Sequence, residues 1–464
     1  MFDIDLEQFA NNTCLITKDE VFSYSDVIKA SKQIEEVLPK QKQLVLFLCQ
    51  MDIETIIGYI ASLRANHACM MLDASLDKTL IETLIDTYKP NFIYKKSDED
   101  DQKTIFRYKN YSLIQHNTST IELNPKLSLL LSTSGTTGSP KMVTLSKDNL
   151  YANCQSITEY LQISSNDRVI TTLPFHYSYG LSVLHTHLAK GASIVVTPES
   201  VISRAFWDSF KKYEVTTFNG VPYHYEMLRR IKFFDMDLPS LKVMTQAGGK
   251  LNHTIAKEFA LWAKKHNVKF FIMYGQTEAT ARIAYLPYQH NIDKAKSIGI
   301  AIPKGKLYIK DIDTQEVIDE AFKEGELYYQ GDNVMIGYAS SLKDLQNTSS
   351  LNGTLQTGDL AYKDEDGFFY ISGRLKRFIK VHGKRINLDE IEHFLKSKGY
   401  RVLCTGDDDT LMVATQDDNL QEIQKLLIDT YALHHSTIKI KHIDTFPVTP
   451  SGKIKYSELK KAFV

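Results

Sequence analysis

A run of hydroxyl-bearing and glycine residues ending in a lysine is the stretch of the chain best suited to chemistry. It occupies residues 131–142 (LSTSGTTGSPKM), directly after the apolar residues 127–131. Glycines let the backbone turn successive amide N–H groups toward one point, hydroxyls add donors, and Lys141 adds a positive charge. This composition suits a polyphosphate, although a polar connector between two strands has the same composition.

The spacing within this glycine-rich loop differs from that of the common P-loop. The P-loop places Gly-x-x-x-x-Gly-Lys-Ser/Thr at the start of a helix. Here Gly135 and Gly138 are three residues apart, and Pro140 prevents a helix from starting. Residues 142–145 read as another short strand, and helical spacing begins only at Leu150. We therefore expect a hairpin turn over phosphates, which argues against an ordinary P-loop kinase or ATPase.

Small and polar residues follow four successive predicted strands downstream of the loop. They are residues 174–177 (PFHY), 219–222 (NGVP), 246–249 (QAGG) and 274–278 (YGQTE). Ligands of open α/β sheets bind beyond the carboxyl ends of the strands, so these residues together predict one crevice, although any single turn has an ordinary loop as its alternative. Tyr274 could stack on a purine there, and Glu278 is a hard oxygen ligand suited to Mg²⁺ bound to ATP.

His176 lies between Phe175 and Tyr177 at one of these strand ends. The position favours the wall of a pocket over a surface or core histidine. A role as catalytic base is less favoured, because the sequence shows no carboxylate partner nearby.

Charged residues also mark the C-terminal quarter. Asp359 follows a Thr-Gly turn and could accept hydrogen bonds from both ribose hydroxyls, although an aspartate there is commonly a turn former. Residues 372–385 hold six Lys and Arg side chains among apolar residues, which predicts a half-buried strand with a basic face toward anions, or else a solvated charged strand. Lys453 follows a glycine in residues 447–456, either a mobile lysine turn or a solvated tail.

Alternating strand-like and helix-like segments must position these residues. In the first 130 residues this alternation predicts a mainly parallel sheet covered by helices, and residues 306–309, 326–329 and 367–371 are β-rich. Asn387 is predicted to cap a helix with Glu390 as its box partner, and Gly399 to end it.

The predicted fold class is therefore α/β: a large N-terminal domain of helix-covered sheets plus a β-rich subdomain, and a small mobile C-terminal α+β lobe. We place the large domain at residues 1–373, a hinge at 374–376 and the small lobe at 377–464.

Composition limits the classes of function. A chain of 464 residues exceeds one ordinary core, and 43% hydrophobic with 24% charged residues is typical of soluble globular proteins. A net charge of −1 gives no general reason to expect nucleic acid or membrane attraction. The sequence shows neither a signal-peptide core nor an apolar run of roughly 20 residues that could span a bilayer. Five scattered cysteines indicate reduced thiols, and so a cytoplasmic location, rather than disulfides or a zinc site.

Five of these stretches, taken together, resemble the adenylate-forming superfamily of acyl- and aryl-CoA synthetases, peptide-synthetase adenylation domains and firefly luciferase. They follow the superfamily's order at plausible spacing: residues 132–141, 274–278, 357–359, 373–385 and 449–453. Any one of them is weakly specific, whereas five in order are specific. The region before them matches only by its α/β pattern and is abbreviated.

The resemblance implies two half-reactions. A carboxylate attacks the α-phosphate of MgATP to give acyl-AMP and pyrophosphate, and the thiol of CoA or of a carrier protein's phosphopantetheine then takes the acyl group. Lys453 would bridge the carboxylate and the α-phosphate, and Thr277 would touch that phosphate. Glu278 would bind Mg²⁺. His176 is the fourth catalytic candidate. The nucleotide- and acceptor-binding candidates are Thr133, Ser134, Gly135, Thr136, Thr137, Gly138, Lys141, Gly248, Gly249, Tyr274, Gly275, Gln276, Asp359, Arg374, Lys376, Lys380 and Gly383.

In this superfamily the small lobe rotates between the half-reactions about a residue two past the arginine, here Lys376. The rotation would exchange the face carrying Lys453 for the one carrying Gly383, where a pantetheine arm passes close to the backbone. Amino-acid-activating members usually place an aspartate just after the strand that ends here at His176. This chain has HYSY at residues 176–179, which favours a neutral acyl or aryl acid.

The resemblance places the acid in a pocket lined by aromatic and hydroxyl-bearing residues, which hints at a small or partly polar acid. These residues are His176, Tyr177, Tyr179, Asn219, Gly220, Ala247 and Gly248. The expected partners are a small carboxylic acid and CoA or an acyl or peptidyl carrier protein. Three alternatives stay open: a ligase that passes the acyl group to an amine or amino sugar, an amino-acid-activating adenylation enzyme, and a non-catalytic nucleotide-binding protein.

Overall fold

The structure is a computed structural model that describes residues 5–97, 102–119, 122–132, 141–347, 351–381, 384–407, 409–431, 433–448 and 454–463. It divides into two compact units. The larger unit comprises Met1–Lys306 and Tyr329–Leu355, and the smaller unit comprises Leu307–Tyr328 and Gln356–Val464. The predicted hinge at residues 374–376 falls within the smaller unit.

Strands and helices alternate along most of the chain. The strands are β1 (Thr13–Ile16), β2 (Val21–Ser23), β3 (Leu44–Cys49), β4 (Ala68–Asp73), β5 (Phe92–Lys96), β6 (Thr104–Tyr108), β7 (Tyr111–Gln115), β8 (Leu127–Ser132), β9 (Met142–Ser146), β10 (Arg168–Ile170), β11 (Ser193–Val195), β12 (Thr217–Gly220), β13 (Val243–Gln246), β14 (Lys269–Tyr274), β15 (Ala284–Leu286), β16 (Ile300–Ala301), β17 (Lys306–Lys310), β18 (Val317–Ile318), β19 (Gly325–Gln330), β20 (Gly337–Ala339), β21 (Thr354–Lys363), β22 (Phe369–Arg374), β23 (Phe378–Val381), β24 (Lys384–Asn387), β25 (Val402–Asp407), β26 (Thr410–Thr415) and β27 (Ile438–His442). The helices are α1 (Tyr24–Glu35), α2 (Ile53–Arg64), α3 (Lys78–Tyr88), α4 (Lys147–Leu161), α5 (Ser178–Ala189), α6 (Arg204–Lys212), α7 (Pro222–Arg230), α8 (His253–Lys265), α9 (Leu388–Ser397), α10 (Leu420–Tyr431) and α11 (Tyr456–Lys461).

Two large sheets form the core of the larger unit. One has nine strands in the order β16-β15-β14-β13-β12-β10-β11-β1-β2, and the other has eight in the order β20-β9-β8-β4-β3-β5-β7-β6. Their central strands pair in parallel, and antiparallel pairs stand toward the edges. The mainly parallel sheet predicted for the first 130 residues is therefore confirmed for the central strands β8-β4-β3-β5, whereas β7 and β6 extend that sheet by antiparallel pairing.

Helix α2 illustrates how the sequence determines this packing. Asp52 caps its start by accepting a hydrogen bond from the backbone N–H of Thr55 (2.9 Å). Every residue from Ile53 to Leu63 is buried, because the helix is apolar on nearly all sides and can only be stable inside the core. All five cysteines are likewise buried free thiols.

The two strands that flank the glycine-rich loop pair antiparallel, as the predicted hairpin requires. Leu131 stands opposite Val143, and Ser132 stands opposite Met142. The turn itself, residues 133–140, lies outside the described residues. The loop is therefore entered from one strand and left by its direct neighbour.

Smaller sheets make up most of the smaller unit. A five-stranded sheet runs β18-β17-β19-β21-β22, followed by the β23-β24 hairpin and the sheet β25-β26-β27. Asn387 caps α9 as predicted, accepting hydrogen bonds from the backbone N–H groups of Asp389 and Glu390 at 2.9 and 3.3 Å. The predicted capping box is not completed among the described residues, because the Glu390 side chain does not bond back to the N–H of Asn387. Gly399 follows the helix with φ +96°, a left-handed conformation that ends helices. In the described part of the chain, no helix is both long and apolar enough to cross a membrane.

Three buried histidines are expected to make the larger unit acid-sensitive. Burial lowers the pKa of His67 and His187 to about 4 and that of His185 to about 3. The unfolded value is about 6.5, so the unfolded chain binds more protons as the pH falls through the window from about 6.5 to 4. We expect each histidine to lower the free energy of unfolding by up to about 1.4 kcal/mol per pH unit there.

Urea unfolding at pH 7.5, 6.5 and 5.5, followed by tryptophan fluorescence, would test this expectation. Both tryptophans, Trp207 and Trp262, belong to the larger unit. The variant His187→Gln removes one titration and should reduce the pH dependence by about one proton. Unfolding that is independent of pH between 6.5 and 5.5 would contradict the prediction.

Candidate active site

The four strands whose ends carry the predicted site residues are neighbours in the nine-stranded sheet. They stand in the order β14-β13-β12-β10 and run parallel. Gly220 stands opposite Gln246, which stands opposite Ile272 of β14. The polar residues after these strands therefore lie along one edge of one sheet, as the sequence predicted.

Residues 274–278 stand at the end of β14, and each of the five is partly exposed. Gln276 donates a hydrogen bond from Nε2 to the hydroxyl of Tyr274 (3.3 Å), and Thr277–Ala279 forms a single 3-10 turn. Thr277 Oγ1 lies 3.3 Å from Ser178 Oγ at the start of α5. This places the predicted α-phosphate contact beside the strand end that carries His176.

At two positions of the predicted site, neighbouring atoms come so close to the backbone that only glycine fits. Gly248 has φ +85°, and a Cβ there would lie 2.4 Å from the hydroxyl of Tyr177. A Cβ on Gly275 would lie 1.9 Å from the backbone oxygen of Ala281. Neither position can accept a side chain without moving its neighbour. For Gly249 the nearest atoms belong to Pro222, at 3.2 Å.

Tyr179 does not line the pocket, contrary to the sequence-based expectation. It is 1% exposed, and its hydroxyl donates to Thr245 Oγ1 (2.7 Å), which in turn donates to Asn219 Oδ1 (2.6 Å). The Arg282 guanidinium stacks on its ring at 3.9 Å. Because both its hydroxyl and its ring face are engaged inside the protein, Tyr179 supports β13 and β12 from within.

His176 has a carboxylate neighbour that the sequence did not reveal. Asp73 ends β4 in the other large sheet, and its Oδ2 lies 3.7 Å from His176 Nε2. This is longer than a hydrogen bond. Burial lowers the pKa of His176 and outweighs the opposing effect of Asp73, so the imidazole is neutral near pH 7. His176 Nδ1 is buried and has no hydrogen-bond partner among the described residues.

Glu278 and Lys141 are joined through a tyrosine that sequence reasoning missed. The hydroxyl of Tyr338 donates to Glu278 Oε1 (2.8 Å), and Lys141 Nζ lies 3.4 Å from the centre of the Tyr338 ring. Tyr338 lies on β20, which pairs antiparallel with β9. Nothing in the sequence near Tyr338 signals this pairing, because the partner strand lies about two hundred residues earlier.

Asp359 and Arg374 are brought together in the smaller unit. They stand directly opposite each other on β21 and β22, and Arg374 Nε donates to Asp359 Oδ1 at 3.0 Å. The Asp359 side chain is 3% exposed, whereas that of Arg374 is 66% exposed. Gly358 has φ +71°, so the turn before Asp359 depends on glycine.

One cation of the predicted basic face is internal. Arg377 is buried, with Nε donating to Asp389 (2.8 Å), Nη2 to Glu392 (2.6 Å) and Nη1 to the backbone oxygen of Cys404 (2.7 Å). Its guanidinium also stacks on Tyr456 at 3.7 Å. Arg377 therefore faces anions, as predicted for this run of cations, but these anions are the carboxylates of Asp389 and Glu392 on α9 within the protein.

Several candidates lie outside the described residues. They are Thr133, Ser134, Gly135, Thr136, Thr137, Gly138, Gly383 and Lys453, together with the side chains of Lys376 and Lys380.

Taken together, these residues of the larger unit lie at the carboxyl edge of a parallel sheet, the edge at which open α/β sheets bind ligands. Residues 2–339 match the family described as AMP-binding enzyme. Because this match takes in well over half of the chain, the protein belongs to the family of AMP-binding enzymes, and the resemblance inferred from its motifs is confirmed.

Similar proteins differ in their substrates. The indoleacetate–CoA ligase of Aromatoleum aromaticum is 32% identical over 279 residues, which are 59% of this chain and 53% of that ligase. The match thus spans about half the length of that relative. A D-alanine–D-alanyl carrier protein ligase of Staphylococcus epidermidis is 24% identical over 82% of this chain and 78% of its own length.

The fold also matches solved structures. The O-succinylbenzoate coenzyme A synthetase (MenE) of Bacillus subtilis, in complex with AMP, superposes with a TM-score of 0.80. The superposition covers 98% of this chain and 97% of that protein at 23% identity. At this identity the likeness supports the fold.

Proposed function

We propose that this protein activates a carboxylic acid with MgATP to form acyl-AMP and pyrophosphate, and then transfers the acyl group to a thiol. The observation that carries the proposal is the grouping of Tyr274, Thr277, Glu278 and Lys141 at one edge of the larger unit, within a chain of the AMP-binding enzyme family. The acceptor is CoA or the phosphopantetheine of a carrier protein. We further propose that it acts in the cytoplasm.

The resemblance to adenylate-forming enzymes gives each group a role that suits its chemistry. Tyr274 stacks on the adenine, and Thr277 contacts the α-phosphate. Asp359 and Arg374 hold the ribose, and the loop from Thr133 to Gly138, with Lys141, holds the β- and γ-phosphates. Lys453 stabilises the charge that develops where the carboxylate meets the α-phosphate, and a cation aimed at that charge favours the transition state over the ground state.

The described residues suit a magnesium ion that arrives with the nucleotide. They include no group of three or more His, Cys, Asp or Glu side chains that could hold a metal ion. Mg²⁺ commonly keeps several waters and is bound through one or two carboxylates plus substrate phosphates. Glu278 fits this pattern, since Tyr338 takes only Oε1. When bound, the ion would neutralise phosphate charge.

The pocket residues favour a neutral, partly polar acyl or aryl acid. His176 is neutral near pH 7, and its Nδ1 is buried without a partner among the described residues. Such an atom favours an acid that carries its own polar group, since an unmatched buried polar atom is costly.

An amino-acid-activating ligase is the second candidate, and Asp73 is the observation that favours it. Its carboxylate lies 3.7 Å from His176. The sequence had suggested that no anion stands at this position, and Asp73 supplies one from another strand. A substrate ammonium could pair with it. The resemblance to a D-alanine–D-alanyl carrier protein ligase is in keeping with this alternative.

A panel of carboxylic acids, scored by pyrophosphate release with and without CoA, tests both candidates. The panel should contain aryl, indolyl, short acyl and dicarboxylic acids together with D- and L-alanine. We expect release that depends on one class of neutral acid and rises with CoA. Release only with an amino acid would favour the second candidate. Thiol-independent turnover with an added amine would indicate an amine acceptor, and no acid-dependent pyrophosphate exchange would contradict the proposal.

A further inference from the structure

Tyr338 lies on a short segment that joins the two halves of the predicted phosphate site. Residues 333–339 contact both the turn after β14 and the strand after the glycine-rich loop. Thr280 Oγ1 donates to the backbone oxygen of Asn333 (2.7 Å), and the N–H of Met335 donates to the backbone oxygen of Glu278 (2.9 Å). The N–H of Ile336 then donates to the oxygen of Thr144 (2.9 Å). All of these residues belong to the larger unit.

The side chain of Tyr338 contacts one cation and one carboxylate by different parts of the same ring. Lys141 Nζ lies over the ring face at 3.4 Å from its centre. The hydroxyl donates to Glu278 Oε1 at 2.8 Å. An aromatic ring has a negative face that attracts ammonium groups, and the phenol O–H is a good donor to a carboxylate. The Tyr338 side chain therefore contacts both the Lys141 ammonium and the Glu278 carboxylate.

The hydroxyl stays protonated through the physiological range. Burial and the neighbouring Glu278 carboxylate raise the pKa of Tyr338.

Two opposite charges that face one ligand site would ordinarily pair with each other. Within the part of the chain that the structure describes, Lys141 and Glu278 form no ion pair with each other. A direct pair would have to separate before a polyphosphate could use the lysine and its metal ion could use the carboxylate. A tyrosine between them holds each charge in place without neutralising it.

We propose that Tyr338 is a positioning residue that holds Lys141 ready for the polyphosphate and Glu278 ready for its divalent cation. The hydroxyl orients Oε1 and leaves Oε2 directed to the ion, while the ring face holds the ammonium. This inference rests on the proposed function, because it requires MgATP as the ligand between the two charges.

Three tyrosine variants separate the two contacts. Tyr338→Phe keeps the ring and removes the hydroxyl, and Tyr338→Leu removes both contacts. Tyr151→Phe is the matched control, because Tyr151 lies in the same unit, is similarly exposed, and its hydroxyl accepts a hydrogen bond from Gln155 one turn along α4. Binding of α,β-methylene-ATP is measured by calorimetry over a range of Mg²⁺ concentrations, and binding of AMP is measured without metal.

We expect Tyr338→Phe to raise the Mg²⁺ concentration needed for half-maximal nucleotide affinity by about tenfold, since hydrogen bonds to charged groups are the stronger ones. Its affinity for AMP should stay within twofold of the natural chain. Tyr338→Leu should in addition weaken metal-free binding of α,β-methylene-ATP severalfold, because Lys141 is released. Tyr151→Phe should change neither quantity.

A double-variant cycle with Glu278→Gln shows whether Tyr338 acts through the carboxylate. If it does, Tyr338→Phe should change the Mg²⁺ requirement of the Glu278→Gln protein by less than twofold. An unchanged Mg²⁺ requirement in Tyr338→Phe, or an equal loss of AMP affinity, would overturn the inference while leaving the proposed function intact. If the natural chain binds neither nucleotide, the proposed function itself fails and the inference fails with it.

Discussion

Replacing Lys453 by alanine is expected to slow acyl-AMP formation by several hundred-fold and to leave thioester formation from supplied acyl-AMP nearly unchanged. In the first half-reaction two anions meet, and the pentacovalent phosphorus gathers further charge. Losing one group aimed at such charge costs about 3–4 kcal/mol in other enzymes. The second half-reaction begins from a neutral acyl carbon already joined to AMP, so it does not need the same cation.

Two assays resolve the half-reactions of the Lys453→Ala protein. Acid-dependent exchange of pyrophosphate into ATP reports adenylation, and thioester formation from the synthetic acyl-adenylate reports transfer. Lys455→Ala is the matched control, since Lys455 lies two residues away and its Nζ pairs with Glu458 at 3.0 Å. That variant should adenylate within a fewfold of the natural rate. Equal losses in both assays for Lys453→Ala would contradict a role confined to adenylation.

Gly383→Leu is the counterpart of this variant. A leucine side chain would obstruct a pantetheine arm that passes close to the backbone, so transfer should fall by at least tenfold while pyrophosphate exchange persists. The pair of variants tests whether the smaller unit presents different faces in the two half-reactions. If both variants impair both steps alike, alternation of the two faces does not operate in this chain.

Sequence reasoning located those site residues that depend on local order. Residues 274–278 could be placed because they directly follow an apolar run that predicts a buried strand, and ligands of open α/β sheets bind beyond the carboxyl ends of such strands. The strands around the glycine-rich loop could be placed because a short apolar run stands on each side of it, at residues 127–131 and 142–145. In both cases the signal and its structural consequence lie within a dozen residues of each other.

Residues that reach the site through distant pairing could not be predicted. Tyr338 joins Glu278 because β20 pairs with β9, and Asp73 reaches His176 from the end of a strand in the other sheet. Period and composition carry no information on which strands become neighbours. Tyr179 was misplaced for a related reason, because its hydroxyl is taken up by Thr245 from another strand.

Arg377 is the instructive exception, because its partners could have been recognised. Asp389 and Glu392 are three residues apart on α9 and so lie on one face of that helix. An acidic face on a helix that begins directly after a basic hairpin predicts pairing within the unit. The run of cations suggested a ligand instead, because its charges were counted without their nearest counter-charges.

The buried contacts between Arg377 and Glu392 give the prediction with the largest expected effect on stability. Glu392 is 5% exposed and accepts hydrogen bonds from Arg377, from the N–H of Cys404 (2.8 Å) and from the hydroxyl of Tyr456 (3.3 Å). Its Oε2 also pairs with Lys396 Nζ at 3.1 Å, and that lysine is about half exposed. Arg377→Met should lower the free energy of unfolding of the smaller unit by about 3–4 kcal/mol, because it removes the buried counter-charge of Glu392 and leaves only the more exposed Lys396. The double variant Arg377→Met with Glu392→Leu should recover most of this loss, since no buried charge is then left unpaired.

Hydrogen exchange is the appropriate measurement, because tryptophan fluorescence reports only the larger unit, which holds Trp207 and Trp262. Amides of α9 and β25 should lose protection by two to three orders of magnitude in Arg377→Met, and fluorescence-detected unfolding should not change. Equal protection in the single variant and the natural chain would show that water screens the pair.

Because Arg377 directly follows the predicted pivot Lys376 and stacks on Tyr456 of α11, loss of protection should coincide with slower turnover in both half-reactions. That pattern would distinguish the variant from Lys453→Ala and Gly383→Leu, each of which is expected to affect one step.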